Sequence, residues 1–180
     1  MALGATIYLF NIELADSDRG IYQALELRIA RHPSETAEYM LTRVLAYCCE
    51  YSEGLAFSSG IADPDEASIA LRDLTGKLLL WIEIGTPDAA RLHKASKAAP
   101  RVVVYSHKDA ALLATRLRGE KIHRAAEMEL YALDREWIAN IAKKLERRMN
   151  FALTIAERHL YLSAGEETFS TVIERIPLVD

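Results

Sequence analysis

The chain has 180 residues, of which 51% are hydrophobic and 27% charged, a composition typical of a globular protein that buries its own core. The formal net charge of −4 excludes a general attraction to nucleic acid, so any contact with phosphate groups would need a local basic patch. The sequence has no apolar stretch of the roughly 18 residues that a membrane helix requires, so we expect no membrane association.

The first predicted elements are two strands and a helix. Ala5 to Leu14 and Tyr22 to Ala30 alternate apolar with polar side chains on either side of a turn, which predicts an antiparallel hairpin. A helix is predicted to begin at His32 to Glu35, with Pro33 at its first position or with Ser34 as its cap. Apolar side chains then recur at helical spacing over the next three turns.

The middle of the chain predicts a parallel pair of strands. Leu55 to Ile61 indicates a short strand, and a loop or helix start follows it. Lys77 to Ile84 is apolar on both faces, as a central strand covered on two sides would be. A helix to about Ala98 and a buried strand from Arg101 to Ser106 complete a strand–helix–strand unit, so these two strands are expected to be parallel.

The last third of the chain predicts two helices and further strands. The helices are expected at Asp109 to Leu117 and, with Asp134 as cap, at Asp134 to Arg147, and a strand is expected between them. Three alternating runs in the tail predict an antiparallel meander: Asn150 to Ala156, Arg158 to Ser163 and Thr168 to Ile176. The sequence therefore predicts an α/β (α+β) chain, with a mixed central sheet flanked by helices and with added antiparallel strands.

Glu83 is the first candidate functional residue. It lies near the carboxyl end of the predicted central strand, where ligands usually bind in open α/β sheets. A carboxylate on an apolar strand is costly to bury unless it is paired or binds a metal ion. The alternative interpretation is a glutamate that is exposed at the strand tip or that caps the next helix.

Two further carboxylates lie at the start of the first predicted helix. Glu35 and Glu38 are three residues apart and share one side of it, with Glu38 beside the apolar stripe. Both carboxylates, with the neighbouring Ser34, are candidates to reach a cleft beside the sheet. A solvated helix flank is the alternative interpretation.

An acidic run and two lysines complete the candidate set. One of Asp63, Asp65, Glu66 and Asp73 could supply a second metal ligand, although most such acidic runs are solvated loops. Lys94 and Lys97 follow Glu83 on the next predicted helix, off its buried side, and one of them could reach the strand tip. Two or three carboxylates of this kind would hold Mg²⁺ or Mn²⁺ for phosphodiester hydrolysis, with a lysine to orient the attacking water.

Three segments of the chain have a distinctive pattern: Met1-Ala2-Leu3 with Ala5-Thr6-Ile7-Tyr8; Arg31-His32-Pro33-Ser34-Glu35-Thr36 with Glu38 and Met40; and Leu80-Trp81-Ile82-Glu83 with Gly85, Pro87-Asp88, Arg91 and Lys94-Ala95. They resemble the N-terminus and the two most distinctive motifs of the bacterial YaeQ family. The resemblance covers essentially the whole chain as a single domain, residues 1–180. It implies a variant of the PD-(D/E)XK nuclease fold.

The resemblance also implies roles for particular residues. Nucleases of that fold surround a metal ion with a helix glutamate, a strand aspartate and the acid of an ExK pair. Glu38 matches the helix position and Glu83 the ExK acid, and the aspartate would be Asp73 or Asp65. Gly85 stands where the ExK lysine belongs, so Lys94, or Lys97 beside it, would have to replace that lysine.

Three functions compete on this basis. The first is a divalent-metal-dependent nuclease or phosphodiesterase that uses Mg²⁺ or Mn²⁺. The second is a non-enzymatic module that keeps the scaffold and binds nucleic acid or a transcription-related protein, and the glycine at position 85 favours it. The third is a small-molecule or structural protein whose acidic cleft is accidental. The adjacent cysteines, Cys48 and Cys49, do not form a relaxed disulfide, and reduced thiols favour the cytoplasm.

Overall fold

The computed structural model of the chain describes residues 4–58, 63 and 65–179. The end of the strand predicted to reach Ile61, Pro64 of the following loop and the N-terminal Met1-Ala2-Leu3 lie outside the described residues. The strands and helices are, in chain order, β1 (Thr6–Asp16), β2 (Ile21–Arg31), α1 (Ala37–Cys49), β3 (Ala56–Phe57), β4 (Ile69–Arg72), β5 (Leu78–Ile84), α2 (Ala89–Ala98), β6 (Arg101–Ser106), α3 (Ala110–Leu117), β7 (Glu129–Ala132), α4 (Arg135–Ala142), β8 (Arg148–Ala156), β9 (His159–Ala164), β10 (Glu167–Val172) and β11 (Glu174–Ile176).

These elements form two compact units. The first contains residues 4–41 and Leu133–Ile173, and the second contains Thr42–Ala132 and residues 174–179. The prediction of one domain over the whole chain stays a prediction. Among the described residues, no helix has both the length and the apolar character needed to cross a membrane.

The first unit is built on a five-stranded mixed sheet with the strand order β10-β9-β8-β1-β2. β1 and β2 form the predicted antiparallel hairpin, and β8, β9 and β10 form the predicted meander. β8 also pairs with β1, in parallel. Alternate side chains of β1, β2, β8 and β9 are buried on one side of this sheet, where the Phe10 and Phe151 rings meet edge to face at 6.3 Å.

The second unit is built on a six-stranded mixed sheet with the strand order β11-β7-β6-β5-β4-β3. β5, β6 and β7 are parallel, which confirms the predicted strand–helix–strand unit. β5 is almost entirely buried, as its apolar character on both faces predicts. Leu92 and Ala95 of α2 and Leu113 of α3 pack into a core with Trp81 and Val104 of the sheet.

Two mixed sheets and four helices in the described part of the chain confirm the mixed α+β class. The added antiparallel strands do not simply extend one central sheet, because most of them belong to the sheet of the first unit. A nuclease-like arrangement of the core stays a prediction.

The predicted start of the first helix is wrong by several residues. His32 to Glu35 form a separate turn, closed by a hydrogen bond from the Glu35 N–H to the His32 carbonyl at 2.9 Å. α1 begins at Ala37, and the Thr36 hydroxyl accepts a hydrogen bond from the Tyr39 N–H at 3.1 Å. Thr36 therefore caps the helix, in place of Ser34, and Pro33 is not a helical residue.

Three further features differ from the predictions: the end of α4, the last strand run and the presence of β4. α4 is capped by Asp134 as predicted but ends at Ala142, because the chain then turns into β8 beside β1. The run from Thr168 to Ile176 is divided, with β10 in the first unit and β11 paired to β7 in the second. β4 has no counterpart among the predicted strands.

Replacing the cap of α1 is expected to cost stability. Thr36→Ala removes the side-chain acceptor of the first helical turn and should lower the free energy of unfolding by about 1 kcal/mol. Ser34→Ala is the matched control: Ser34 is exposed, its hydroxyl contacts only the His32 ring, and its loss should change the free energy by less than about 0.5 kcal/mol. Urea unfolding of both variants measures the difference, and equal losses would show that the cap is misassigned.

Candidate functional site

Glu83 is buried near the end of β5, with 3% of its surface exposed. Both of its carboxylate oxygens are engaged. Oε1 accepts a hydrogen bond from Trp81 Nε1 at 2.6 Å, and Oε2 lies 2.8 Å from Arg91 Nε. The expectation that a buried carboxylate at this position needs a partner is therefore met by an ion pair.

Arg91 lies in the first turn of α2 and is held from several sides. Its backbone N–H donates to the Asp88 carboxylate at 2.8 Å, which caps the helix, and its Nη2 donates to the Glu66 carbonyl at 2.8 Å. Its guanidinium also lies over the Trp81 ring, at 5.8 Å from the ring centroid. Sequence reasoning did not assign Arg91 a role; its place in the motif that begins at Leu80 was the available signal.

Neither Gly85 nor Lys94 supplies the lysine of an ExK pair to Glu83. Gly85 has a φ of 92°, in the left-handed region that favours glycine, and its N–H donates to the Tyr105 carbonyl at 2.9 Å. Lys94 forms an ion pair with Asp65, and both side chains are largely exposed, at 50% and 72%. Lys94 and Asp65 are thus partners of each other on the surface.

Asp73 lies at the opposite end of β5 from Glu83. It belongs to the turn between β4 and β5, where its carboxylate accepts hydrogen bonds from the Thr75 hydroxyl at 2.6 Å and from the Lys77 N–H at 2.9 Å. The Thr75 hydroxyl, followed by the Lys77 N–H, lowers the pKa of the Asp73 carboxyl. Since β5 advances about 3.3 Å per residue, roughly 17 Å separates Leu78, at the start of the strand, from Glu83, and Asp73 does not join Glu83.

The remaining candidates occupy separate positions. Glu35 is buried in the turn before α1, where its Oε2 accepts a hydrogen bond from the His32 N–H at 3.2 Å. Glu38 is half-buried in the first turn of α1, and Ser34 is exposed. Glu35, Glu38 and Ser34 belong to the first unit, whereas Lys97 is exposed on α2 of the second.

The predicted metal ligands of the second unit are arranged as ion pairs and turn contacts. Glu83 is held by Arg91, Asp65 by Lys94 and Asp73 by its own turn. Across residues 4–58, 63 and 65–179, no three His, Cys, Asp or Glu side chains are grouped so that they could hold a metal ion. The described carboxylates therefore do not fit a Mg²⁺ or Mn²⁺ site in this arrangement.

A second ionic cluster lies on β6 and β7. Arg101 binds Glu129 through Nε at 2.7 Å and Glu50 through Nη1 at 2.8 Å, and the hydroxyls of Tyr105 and Tyr131 donate to these two carboxylates. Burial disfavours the ionised form of Glu129, but the hydrogen bonds from Arg101 and Tyr131 outweigh it and lower its pKa. The groups satisfy one another, which indicates a structural role.

The sheet of the first unit has one side that is largely open to solvent. Its outward side chains follow from the strand register, because directly paired residues point to the same side of a sheet. We call this surface the open face, and its residues are Leu9, Asn11, Glu13 and Ala15 of β1; Tyr22, Ala24, Glu26 and Arg28 of β2; Arg148, Asn150, Ala152, Thr154 and Ala156 of β8; His159, Tyr161 and Ser163 of β9; and Thr168, Ser170 and Val172 of β10.

The open face has a basic end and an aromatic end. Arg28 and Arg148 both pair in register with Leu9, so they flank it at one end. Tyr22 and Tyr161, which are 69% and 39% exposed, belong to the row at the other end. Sequence reasoning missed this surface, because the strands that form it are separated by more than a hundred residues of chain.

The fold and the Glu83 cluster define an α+β protein in which an arginine of the following helix fixes a carboxylate at the end of a central strand. The chain belongs to the YaeQ protein family, whose family model matches residues 1–173. It is 35% identical over 164 residues to YaeQ from Escherichia coli (strain K12) and to YaeQ from Salmonella typhi, with 91% of each chain covered.

Two crystal structures of the family share the fold. YaeQ from Pseudomonas syringae superposes with a TM-score of 0.86 at 30% sequence identity, covering 96% of both chains. YaeQ from Xanthomonas axonopodis pv. citri superposes with a TM-score of 0.82 at 27% identity, covering 95% of this chain and 97% of the other. The fold described above is thus the fold of the YaeQ family.

Removing Arg91 is expected to destabilise the second unit strongly. Arg91→Met leaves the Glu83 carboxylate buried without its counter-charge and should lower the free energy of unfolding by about 3 kcal/mol or more. The double variant Glu83→Gln with Arg91→Met removes both charges and should recover part of this loss.

The surface pair of the same helix supplies the control. Lys94→Met removes an exposed ion pair and should cost less than about 1 kcal/mol. Denaturant unfolding of all variants measures the coupling energy between Glu83 and Arg91. Simple additivity of the two single substitutions would show that the pair does not hold the strand end.

Tyr131 makes the stability of the second unit sensitive to alkaline pH. Burial, followed by the hydrogen bond to Glu129, raises its pKa from 10.0 to about 12. The folded state therefore favours the neutral phenol, and the resulting stability is complete below pH 10.0 and is lost as the pH rises toward about 12.

Tyr131→Phe is expected to lose about 1 kcal/mol near neutral pH, where one hydrogen bond is removed. Between pH 10 and 12 its free energy of unfolding should fall less steeply than that of the wild type, because the titrating group is absent. Urea unfolding at several alkaline pH values gives the two slopes. Parallel slopes would rule out the assignment to Tyr131.

Proposed function

We propose that this chain is a nucleic-acid-binding module that does not cleave the strand it binds. The single observation that carries the proposal is the open face, which presents arginines at one end and exposed tyrosines at the other. Guanidinium groups bind phosphates, and exposed aromatic rings on an open sheet stack with bases.

The charge distribution agrees with a local binding surface. The net charge of −4 gives the whole molecule no attraction to nucleic acid, so binding depends on where the basic residues lie. No hydrogen bond or ion pair joins the guanidinium of Arg28 or Arg148 to another side chain in the described part of the chain. Both cations are therefore available to a phosphate group.

The geometry around Glu83 supports binding without turnover. A nuclease or phosphodiesterase that uses Mg²⁺ or Mn²⁺ would need the Glu83 carboxylate as a metal ligand. That carboxylate would first have to leave Arg91 and Trp81, which engage both of its oxygens. The cost of separating a buried ion pair favours the non-enzymatic alternative.

The proposal is tested with fluorescently labelled single-stranded DNA and RNA oligonucleotides of mixed sequence. We expect binding at low salt that weakens as salt is added, with a logarithmic slope of about 0.7 per phosphate contact. Incubation with Mg²⁺ or Mn²⁺ should leave the length of every oligonucleotide unchanged. Glu83→Gln should bind with the affinity of the wild type.

Two results would contradict the proposal. Metal-dependent shortening of the oligonucleotide that disappears in Glu83→Gln would establish the nuclease function instead. No binding to DNA or RNA at low salt would remove the nucleic-acid function, and a protein of the transcription machinery would then be the partner to examine on the open face.

A further inference from the structure

We propose that a single nucleic-acid strand crosses the open face along β8 and β9, with one phosphate held between Arg28 and Arg148 and a base stacked on Tyr161. This inference rests on the proposed function. It adds that the ligand is single-stranded, that it follows β8 and β9, and that two arginines contact it at one end of the face and Tyr161 at the other. It is carried by the register of the five strands and by the distribution of charge between them.

The two arginines are placed to share one phosphate. Each is the in-register partner of Leu9, so both side chains leave the same side of the sheet. Because adjacent strands lie about 4.8 Å apart, their Cα atoms are roughly 10 Å from each other, within the reach of two arginine side chains that converge on one anion. Leu9 forms an apolar floor between them.

A depression in the sheet surface begins at this point. It has a volume of about 350 Å³, and Leu9, Asn11, Glu26, Arg28 and Arg148 are among its lining residues. This volume is at the lower end of the range for small-molecule sites. The depression thus offers room for a phosphate group beside the two arginines.

Charge selects the direction in which the strand leaves the depression. Glu26 lies on β2, and Glu13 lies on β1 in register with Ala152 of β8, so both carboxylates repel phosphates from the β1 side of β8. The outward residues of β8 and β9 include no carboxylate: beyond Arg148 they are Asn150, Ala152, Thr154, Ala156, His159, Tyr161 and Ser163. The strand is thus directed along β8 toward β9.

This path ends at an aromatic platform. Tyr161 is paired with Thr154, six residues along β8 from Arg148, and so lies roughly 20 Å from the arginine row. The Tyr161 ring is 39% exposed and stacks on the His159 ring at 6.1 Å with an interplanar angle of 13°. A ring supported in this way presents a fixed surface to an unpaired base, which a base inside a duplex cannot reach.

The experiment measures the affinity of the full chain for a short single-stranded oligonucleotide and for the same sequence as a duplex, by fluorescence anisotropy. The wild type should bind the single strand more tightly than the duplex. Arg28→Gln and Arg148→Gln should each weaken binding, and the double variant, which loses the shared phosphate contact, should lower the salt slope by about 0.7 and weaken binding roughly tenfold or more.

Two further variants test the path. Tyr161→Ala should weaken binding to the single strand roughly tenfold without changing the salt slope, because it removes stacking and not a phosphate contact. Glu26→Gln should strengthen binding, since it removes a repulsive charge beside the phosphate. A gain in affinity cannot come from a general loss of structure.

The matched control is Arg135→Gln, which removes one positive charge from an exposed position on α4 away from the open face. Its affinity and salt slope should equal those of the wild type. Wild-type binding that survives in the Arg28, Arg148 and Tyr161 variants would overturn the path but leave the proposed function standing. A wild type that binds neither form of nucleic acid would overturn both.

Discussion

The ion pair between Glu83 and Arg91 holds the end of β5, the central strand of the second unit, against the first turn of α2. A carboxylate at the end of β5 would be expensive to bury alone, and the structure compensates it with a guanidinium from the first turn of α2 and with the indole N–H of Trp81. The same arginine is positioned by the helix cap at Asp88. The end of β5, the start of α2 and the Trp81 side chain are thereby joined through the buried Glu83 carboxylate.

A carboxylate at this position has two interpretations that the sequence alone does not distinguish. An acidic residue at the end of a strand is typical of both a catalytic carboxylate and a structural ion pair. The side chain that distinguishes them is Arg91, which belongs to another element. In the second unit the end of β5 and the start of α2 are joined by this ion pair, and the surface with available cations lies on the sheet of the first unit.

The sequence predicted correctly those strands and helix ends that depend on side chains only a few residues apart. The apolar run of β5, the alternation of β1 and β2 and the Asp134 cap of α4 all follow from neighbouring side chains. The start of α1 was placed too early because His-Pro-Ser-Glu suits both a helix start and a turn, and only the hydrogen bond to Thr36 decides between them. β4 was missed because four residues of mixed character carry too little periodicity.

Contacts that join distant parts of the chain could not be predicted in this way. The register of β1 with β8 brings Leu9 and Arg148 side by side, and no local pattern records that pairing. The partner of Glu83 was missed for a related reason, since the burial of a carboxylate can be expected from its neighbours on the strand but the direction of Arg91 depends on how α2 packs.

The backbone at position 85 has a consequence for evolution and engineering. An ExK lysine introduced there would have to adopt a left-handed conformation that costs an ordinary residue roughly 1 kcal/mol or more, while its ammonium group would compete with Arg91 for the same carboxylate. Gly85→Lys alone would therefore not place an ExK lysine beside Glu83 without backbone strain. The connection between β5 and α2 would have to be rebuilt, with a different backbone path and a different counter-ion.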